Sequence, residues 1–225
     1  MHIQGEISDH ETLRFLRRLA LMKQSGHSIQ TVILATHNAG KVAELAVLLK
    51  SLPVQLISAV DVMDSPRVEE DADTLSGNAE KKARALYEHT GKPSLADDTG
   101  LEVDALGGAP GIHSARYACS EPDDAANRAK LLVALEGRED RSARFRTSLA
   151  FVDDAGLYFF EGACEGVITK KERGSAGFGY DSIFEPLDAN GRTFAEMDNA
   201  KKNLISHRGL ALAQFVRFLE KRIEC

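Results

Sequence analysis

Residues 94–118 read SLADDTGLEVDALGGAPGIHSARYA, an apolar run that breaks on two adjacent carboxylates, Asp97 and Asp98, followed by a hydroxyl and a glycine. An apolar strand that stops at acids sets them at its C-terminal end, the edge where open α/β sheets bind their ligands. Two acids side by side at the end of a buried strand repel each other unless a cation or a bound proton relieves them. Hard oxygen donors of this kind suit Mg²⁺. Glu70, in the run Glu69-Glu70-Asp71, offers a further oxygen, although such runs are also common in solvated loops. The plainer reading of Asp97 to Gly100 is a turn rich in Asp and Thr. The stretch Gly107 to Gly111 then supplies a rigid turn on the same connection.

Upstream, TVILAT at 31–36 is the β-branched apolar run that a buried parallel strand needs. In the helix expected after it, Val42, Leu45, Ala46 and Leu49 fall three and four apart, with Asn38 placed to cap its start. A second helix is predicted over about 75–87, leading into the strand that ends at Asp97, and a third from near Pro122 to just before Gly137. Residues 142–169 instead alternate on either side of Asp153-Asp154-Ala155-Gly156, the pattern of a hairpin. The last helix is predicted from about His207 to Ile223, with Leu212, Phe215, Val216, Leu219 and Ile223 on one face. Strands and helices alternate first and antiparallel strands follow, so the class is α/β.

The chain has 225 residues, 43% of them hydrophobic, enough to bury a full core in one domain or in two closely packed lobes. A net charge of −6 without a dense Lys/Arg block argues against a nucleic-acid partner, whereas a free nucleotide needs only a local cationic cluster. Cys119, Cys164 and Cys225 are odd in number, widely spaced and lack a CxxC pair. Neither a disulfide framework nor a zinc site is suggested, and a reducing, cytoplasmic compartment is expected. No apolar run approaches membrane-spanning length, and the N-terminus mixes acids with bases, unlike a secretion signal. Residues 8–24 pattern as an amphipathic helix with a Ser8/Glu11 capping box. Residues 1–28 are therefore expected to form an extension and linker, and 29–225 the main domain.

Three further constellations carry chemistry. THNAGK, Thr36 to Lys41, sets a hydroxyl, an amide, free backbone N–H groups and a lysine at a helix N-terminus, where the dipole favours an anion such as phosphate. The alternative is an N-cap Asn38 and a solvated Lys41 paired with Glu44. GFGYD, Gly177 to Asp181, joins flexible backbone to two aromatics and a carboxylate: a planar base could stack on Phe178 while Asp181 accepts from its N–H edge, or the segment is a turn with an aromatic plug. KKNLISHRG, Lys201 to Gly209, gathers cations at the start of the last helix, against its dipole, so that a bound anion would relieve them.

In this order, TxNxxK, ADDTGLEVDALGGAPGxxSARY, GFGYD and SHRG resemble the inosine triphosphate pyrophosphatase family, enzymes that hydrolyse non-standard purine nucleoside triphosphates, over residues 31–220. The resemblance implies a long, twisted mixed β-sheet with two α/β lobes around a central cleft, a homodimer, and Mg²⁺-dependent cleavage of ITP, dITP or XTP to the monophosphate and pyrophosphate. It implies that Thr36, Asn38 and Lys41 hold phosphates, and that Asp98 is the catalytic carboxylate and a Mg²⁺ ligand, with Asp97 beside it and Glu70 as the upstream metal acid. Thr99 occupies the place of a nucleotide-contacting hydroxyl. Phe178 is implied to stack on the base, Gly179, Tyr180 and Asp181 to line its pocket, and Lys202, His207 and Arg208 to approach base and phosphates. Ser182 stands where proline is frequent, and the match around Leu75 to Asn78 is looser. A phosphohydrolase acting on another nucleotide and a non-catalytic binding module are the competing classes. The intact acids at 97 and 98 speak against the second.

Overall fold

The computed structural model describes residues 30–36, 38–49 and 54–223. The helix expected over 8–24, the extension it belongs to and Cys225 lie outside the described residues. The elements run β1 (Gln30–Leu34), α1 (Ala39–Leu49), β2 (Val54–Ser58), α2 (Leu75–Thr90), β3 (Ser94–Val103), β4 (Pro110–Gly111), α3 (Asp124–Ala134), β5 (Ser142–Asp153), β6 (Gly156–Ile168), β7 (Phe184–Pro186), α4 (Asn199–Ile205) and α5 (His207–Ile223). The strands form one mixed sheet in the order β2-β1-β3-β5-β6-β7, with β4 paired to β3. β1 is parallel to β2 and β3, and the other pairings are antiparallel. Among the described residues no helix is long and apolar enough to cross a membrane.

The strand expected to stop at Asp97 does not stop there. β3 continues to Val103 because β5 pairs with it throughout, from Ser94 opposite Val152 to Val103 opposite Ala143. Asp, Thr and Gly read locally as a turn, and cross-strand hydrogen bonding overrides that preference. What ends at this level is β1, which meets β3 only at Ile33–Ser94 and Leu34–Leu95. The acids therefore sit just beyond the C-terminal end of a parallel strand, on a neighbour that runs on.

Because side chains alternate along a strand, Asp97 and Asp98 face opposite sides of the sheet. Leu95, two residues before Asp97, packs with Val32, Leu34, Leu45, Leu49 and Phe215, under α1 and α5. Ala96, two before Asp98, packs with Ile33, Ala79, Ala83 and Leu86, under α2. A third cluster, including Leu101, Val103, Phe145, Phe184 and Phe194, fills the other lobe. The predicted hairpin is present, with Asp153 opposite Gly156. α2 runs three residues beyond its predicted end and is closed by Gly91 at φ +63°. α5 buries Leu212, Phe215 and Leu219. Ala46 is exposed: Leu45 and Leu49 take the inward stripe of α1, which leaves residue 46 on its outer flank.

Candidate active site

A cavity of about 390 Å³ opens between the lobes, lined by Thr36, Asn38, Lys41, Lys82 and Asp98 on one side and by Ser114, Phe178, Tyr180 and Asp181 on the other. At the start of α1, Asn38 Oδ1 accepts from Lys41 N at 3.1 Å, while Asn38 N donates to Thr36 Oγ1 at 3.2 Å. Asn38 is thus an N-cap, as its alternative reading has it. Lys41 is neither solvated nor paired with Glu44, since its Nζ lies 3.1 Å from Asp97 Oδ2.

The two acids have different surroundings. Asp97 Oδ2 meets Lys41 and, at 3.2 Å, Arg208 Nε. Burial opposes its ionisation, yet Lys41, Arg208 and Lys82 together hold its carboxyl well below the usual carboxylate range. Asp98 Oδ1 accepts from Lys82 Nζ at 2.9 Å and its Oδ2 from Asn78 Nδ2 at 3.3 Å. Burial raises its pKa against the pull of Lys82 and Lys41. Glu70 Oε1 lies 3.3 Å from the same Lys82 Nζ. Asp98 and Glu70 therefore converge on one point of positive charge, where Asp97 contributes only its backbone carbonyl, which accepts from Lys82 Nζ at 2.8 Å. Among the described residues no three His, Cys, Asp or Glu side chains are grouped to hold a metal. The strand's period of two turns the Asp97 carboxylate to the other side of the sheet from those of Asp98 and Glu70.

The cations expected to crowd the last helix are already neutralised. Arg208 donates from Nε to Asp97, from Nη1 to Glu44 and from Nη2 to Thr99 Oγ1. Lys202, on α4, reaches Glu44 Oε1 at 2.7 Å and Asp181 Oδ2 at 2.8 Å. No bound anion is needed to relieve them. Asp181 Oδ2 also accepts from Phe178 N at 3.0 Å, and Lys202 Nζ stands 5.3 Å from the Phe178 ring centroid. Tyr180 is the aromatic plug: it joins the lobe core and its hydroxyl donates to Ser114 O at 2.8 Å. Gly179 is held through its backbone by Asp124 Oδ2 and Arg128 Nη1.

The sequence pattern assigns no site role to Lys82 or Asn78, and names Glu44 only as a partner for Lys41. Asn78 and Lys82 are four apart, hence on one face of α2, and that spacing was the available signal. Nothing local marks Glu44 for its actual partners, Lys202 and Arg208, which lie 158 and 164 residues away.

His207 is buried, its ring stacked on Phe145 at 4.5 Å, and its Nδ1 has no hydrogen-bond partner among the described residues. Burial, reinforced by Arg208 and Lys202, pushes its pKa well below 6.5. The unfolded chain then takes up a proton near pH 6.5 that the folded chain refuses. The stability contribution is complete above that pH and falls as the pH drops below it, with a slope approaching 1.4 kcal/mol per pH unit. Urea unfolding between pH 7.5 and 5 should show wild type losing stability faster than His207→Phe, and parallel curves would contradict this.

The position of α5 depends on Gly162 of β6. A Cβ there would lie 2.0 Å from His207 O and 2.8 Å from Ala211 N, both backbone atoms that cannot turn aside. Gly162→Ala should destabilise the fold by about 1–3 kcal/mol and lower turnover by displacing His207 and Arg208. Thermal unfolding and a turnover assay check it, and unchanged values in both would refute the packing argument.

A model of the Ham1 family matches residues 32–218 of the chain. The chain is 50% identical over 193 residues to a dITP/XTP pyrophosphatase of Desulforamulus reducens, covering 84% of this chain and 96% of that relative. It is 48% identical over 185 residues to a dITP/XTP pyrophosphatase of Geobacter sulfurreducens, covering 81% and 92%. The solved structure of a HAM1 protein from Coxiella burnetii superposes with a TM-score of 0.78 at 40% identity, over 86% of this chain and 100% of that one.

Proposed function

The chain belongs to the Ham1 family, and from that membership we infer that it is a nucleoside triphosphate pyrophosphatase that hydrolyses non-standard purine nucleoside triphosphates, dITP and XTP among them. The observation that carries the reading to particular residues is Asp98, a buried carboxylate on the cavity wall whose oxygens meet Lys82 and Asn78. In this reading Thr36, Lys41 and the free N–H groups at the start of α1 hold phosphates. The Asp98 carboxylate orients a water and accepts its proton as the water attacks the α-phosphorus. The α–β anhydride bond breaks and pyrophosphate leaves. Phe178 offers a stacking face, while Arg208 keeps N–H groups beyond its three bonds for a 6-oxo purine.

Mg²⁺ fits the pair Asp98 and Glu70, two hard carboxylates already gathered around a single cation, Lys82 Nζ. When bound it would neutralise triphosphate charge. Isothermal titration with Mg²⁺ alone should give heat for wild type and little for Glu70→Gln. We extend the reading to a cytoplasmic homodimer. Cys119 and Cys164, which have no disulfide partner among the described residues, support the compartment. Exposed Val60, Met63 and Leu204 leave apolar surface available to a partner. The deciding experiment is product analysis with ITP, dITP, XTP, GTP and ATP in parallel. Monophosphate and intact pyrophosphate from ITP, dITP and XTP are expected. IDP and orthophosphate would overturn the cleavage register.

A further inference from the structure

The cations inside the cavity are spoken for. Lys41, Arg208 and Lys202 are threaded with Asp97, Glu44 and Asp181 in one chain of ion pairs, three positive charges against three negative. Lys82 is shared by two carboxylates, Asp98 and Glu70. Asp124, which also lines the cavity, adds a further negative charge, and His207 is held neutral by its burial. The interior is therefore net negative, while a nucleoside triphosphate brings about four negative charges near neutral pH. A single divalent cation cannot reconcile the two.

Two more cations line the same cavity, Arg67 and Arg116. Both are exposed, and among the described residues neither side chain makes an ion pair or a hydrogen bond. Arg67 comes from the loop that carries Glu70. Arg116 closes the short turn Ser114–Arg116, whose Ser114 carbonyl receives the Tyr180 hydroxyl. We propose that Arg67 and Arg116 are substrate-contacting residues that bind the polyphosphate chain and supply the uncommitted positive charge that the paired interior lacks. The proposal rests on the reading of the cavity as a triphosphate site.

Drawing both Lys41 and Arg208 away would leave Asp97, 1% exposed, without either of its counter-charges, so Lys41 shares its charge between Asp97 and phosphate and does not supply the balance alone. Arg67 and Arg116 give up only water. Their planar, forked donors match phosphate oxygens two at a time. Exposed on the lining of a cavity whose interior repels anions, they also draw the substrate in.

The test uses the full chain as wild type, Arg67→Ala, Arg116→Ala, the double variant and Arg67→Lys. Binding of ITP and IMP is measured by calorimetry in excess chelator, where no turnover intrudes, and kcat/KM for ITP is measured with Mg²⁺. Each alanine variant should weaken ITP binding about tenfold or more, with IMP changed far less, because most of the lost contacts are to the added phosphates. kcat/KM should fall in parallel, and Arg67→Lys should recover part of it. Equal weakening of ITP and IMP, or no change in either, would overturn the proposal. Wild type that neither binds nor cleaves ITP would instead show that the functional reading itself is wrong, and this proposal falls with it.

Discussion

Asp98→Asn should lower kcat for ITP by about 10²–10⁴-fold, the range lost when a positioned acid–base group is removed, while the affinity for ITP changes only a few-fold. Both oxygens of Asp98 accept hydrogen bonds, from Lys82 Nζ and Asn78 Nδ2. The amide of asparagine can satisfy one of these donors but sets a second donor against the other. Lys82 keeps Glu70 as a partner, so the cation is not abandoned. Some loss of stability is therefore expected beside the loss of rate, on the order of 1–3 kcal/mol. Rate and binding must be measured on protein shown to be folded by its unfolding transition. A folded Asn variant with full turnover would remove Asp98 from the chemistry, whereas equal losses of rate and affinity would recast it as a binding group.

The second large effect is at Arg208. The residue is 2% exposed and its guanidinium is bonded to Asp97, Glu44 and Thr99. Truncation to Ala takes one of two cations from each of two carboxylates, leaving Asp97 with Lys41 and Glu44 with Lys202, and Asp97 Oδ1 already has no partner among the described residues. Breaking a buried pair from one side costs about 3–5 kcal/mol, which for a chain of this size lowers Tm by roughly 10 °C. The same variant should lose base selection. A 6-oxo purine offers an acceptor to the donors that Arg208 keeps free, whereas adenine presents an amino group and leaves them unpaired. Sites of this kind discriminate by about 10⁴ or more. Wild type should therefore cleave ITP and XTP far faster than ATP, and Arg208→Ala should narrow the ratio mainly by slowing the 6-oxo substrates. Arg208→Lys should restore part of the stability without the selectivity, because an ammonium lacks the planar fork. A folded Arg208→Ala with an undiminished ITP:ATP ratio would assign selection elsewhere, and equal ITP and ATP rates in wild type would refute it outright.

The four segments that carry the chemistry lie around one cavity, as their order in the chain implied, but several of their members have tasks that local pattern does not express. Asn38 caps a helix, Tyr180 plugs a core, and Lys202 and Arg208 are bound to acids from other elements. Glu44, which draws both cations together, has no local signature.

Local pattern along the chain marked several elements and their kinds: the β-branched run of β1, helical spacing for α1 and α5, and the Asp153–Gly156 hairpin, but not β2, β4, β7 or α4. These depend on side-chain period and turn chemistry, which act over a few residues. How far β3 runs depends on a distant partner, since its second half, Thr99 to Val103, is held as strand by Thr147 to Ala143 of β5. That extension turned Asp97 towards Lys41 and Arg208, and Asp98 towards Lys82 and Glu70. It also decided which charges cancel. Coulomb energy depends on separation in space and on burial, and neither is written in the spacing of residues along a chain.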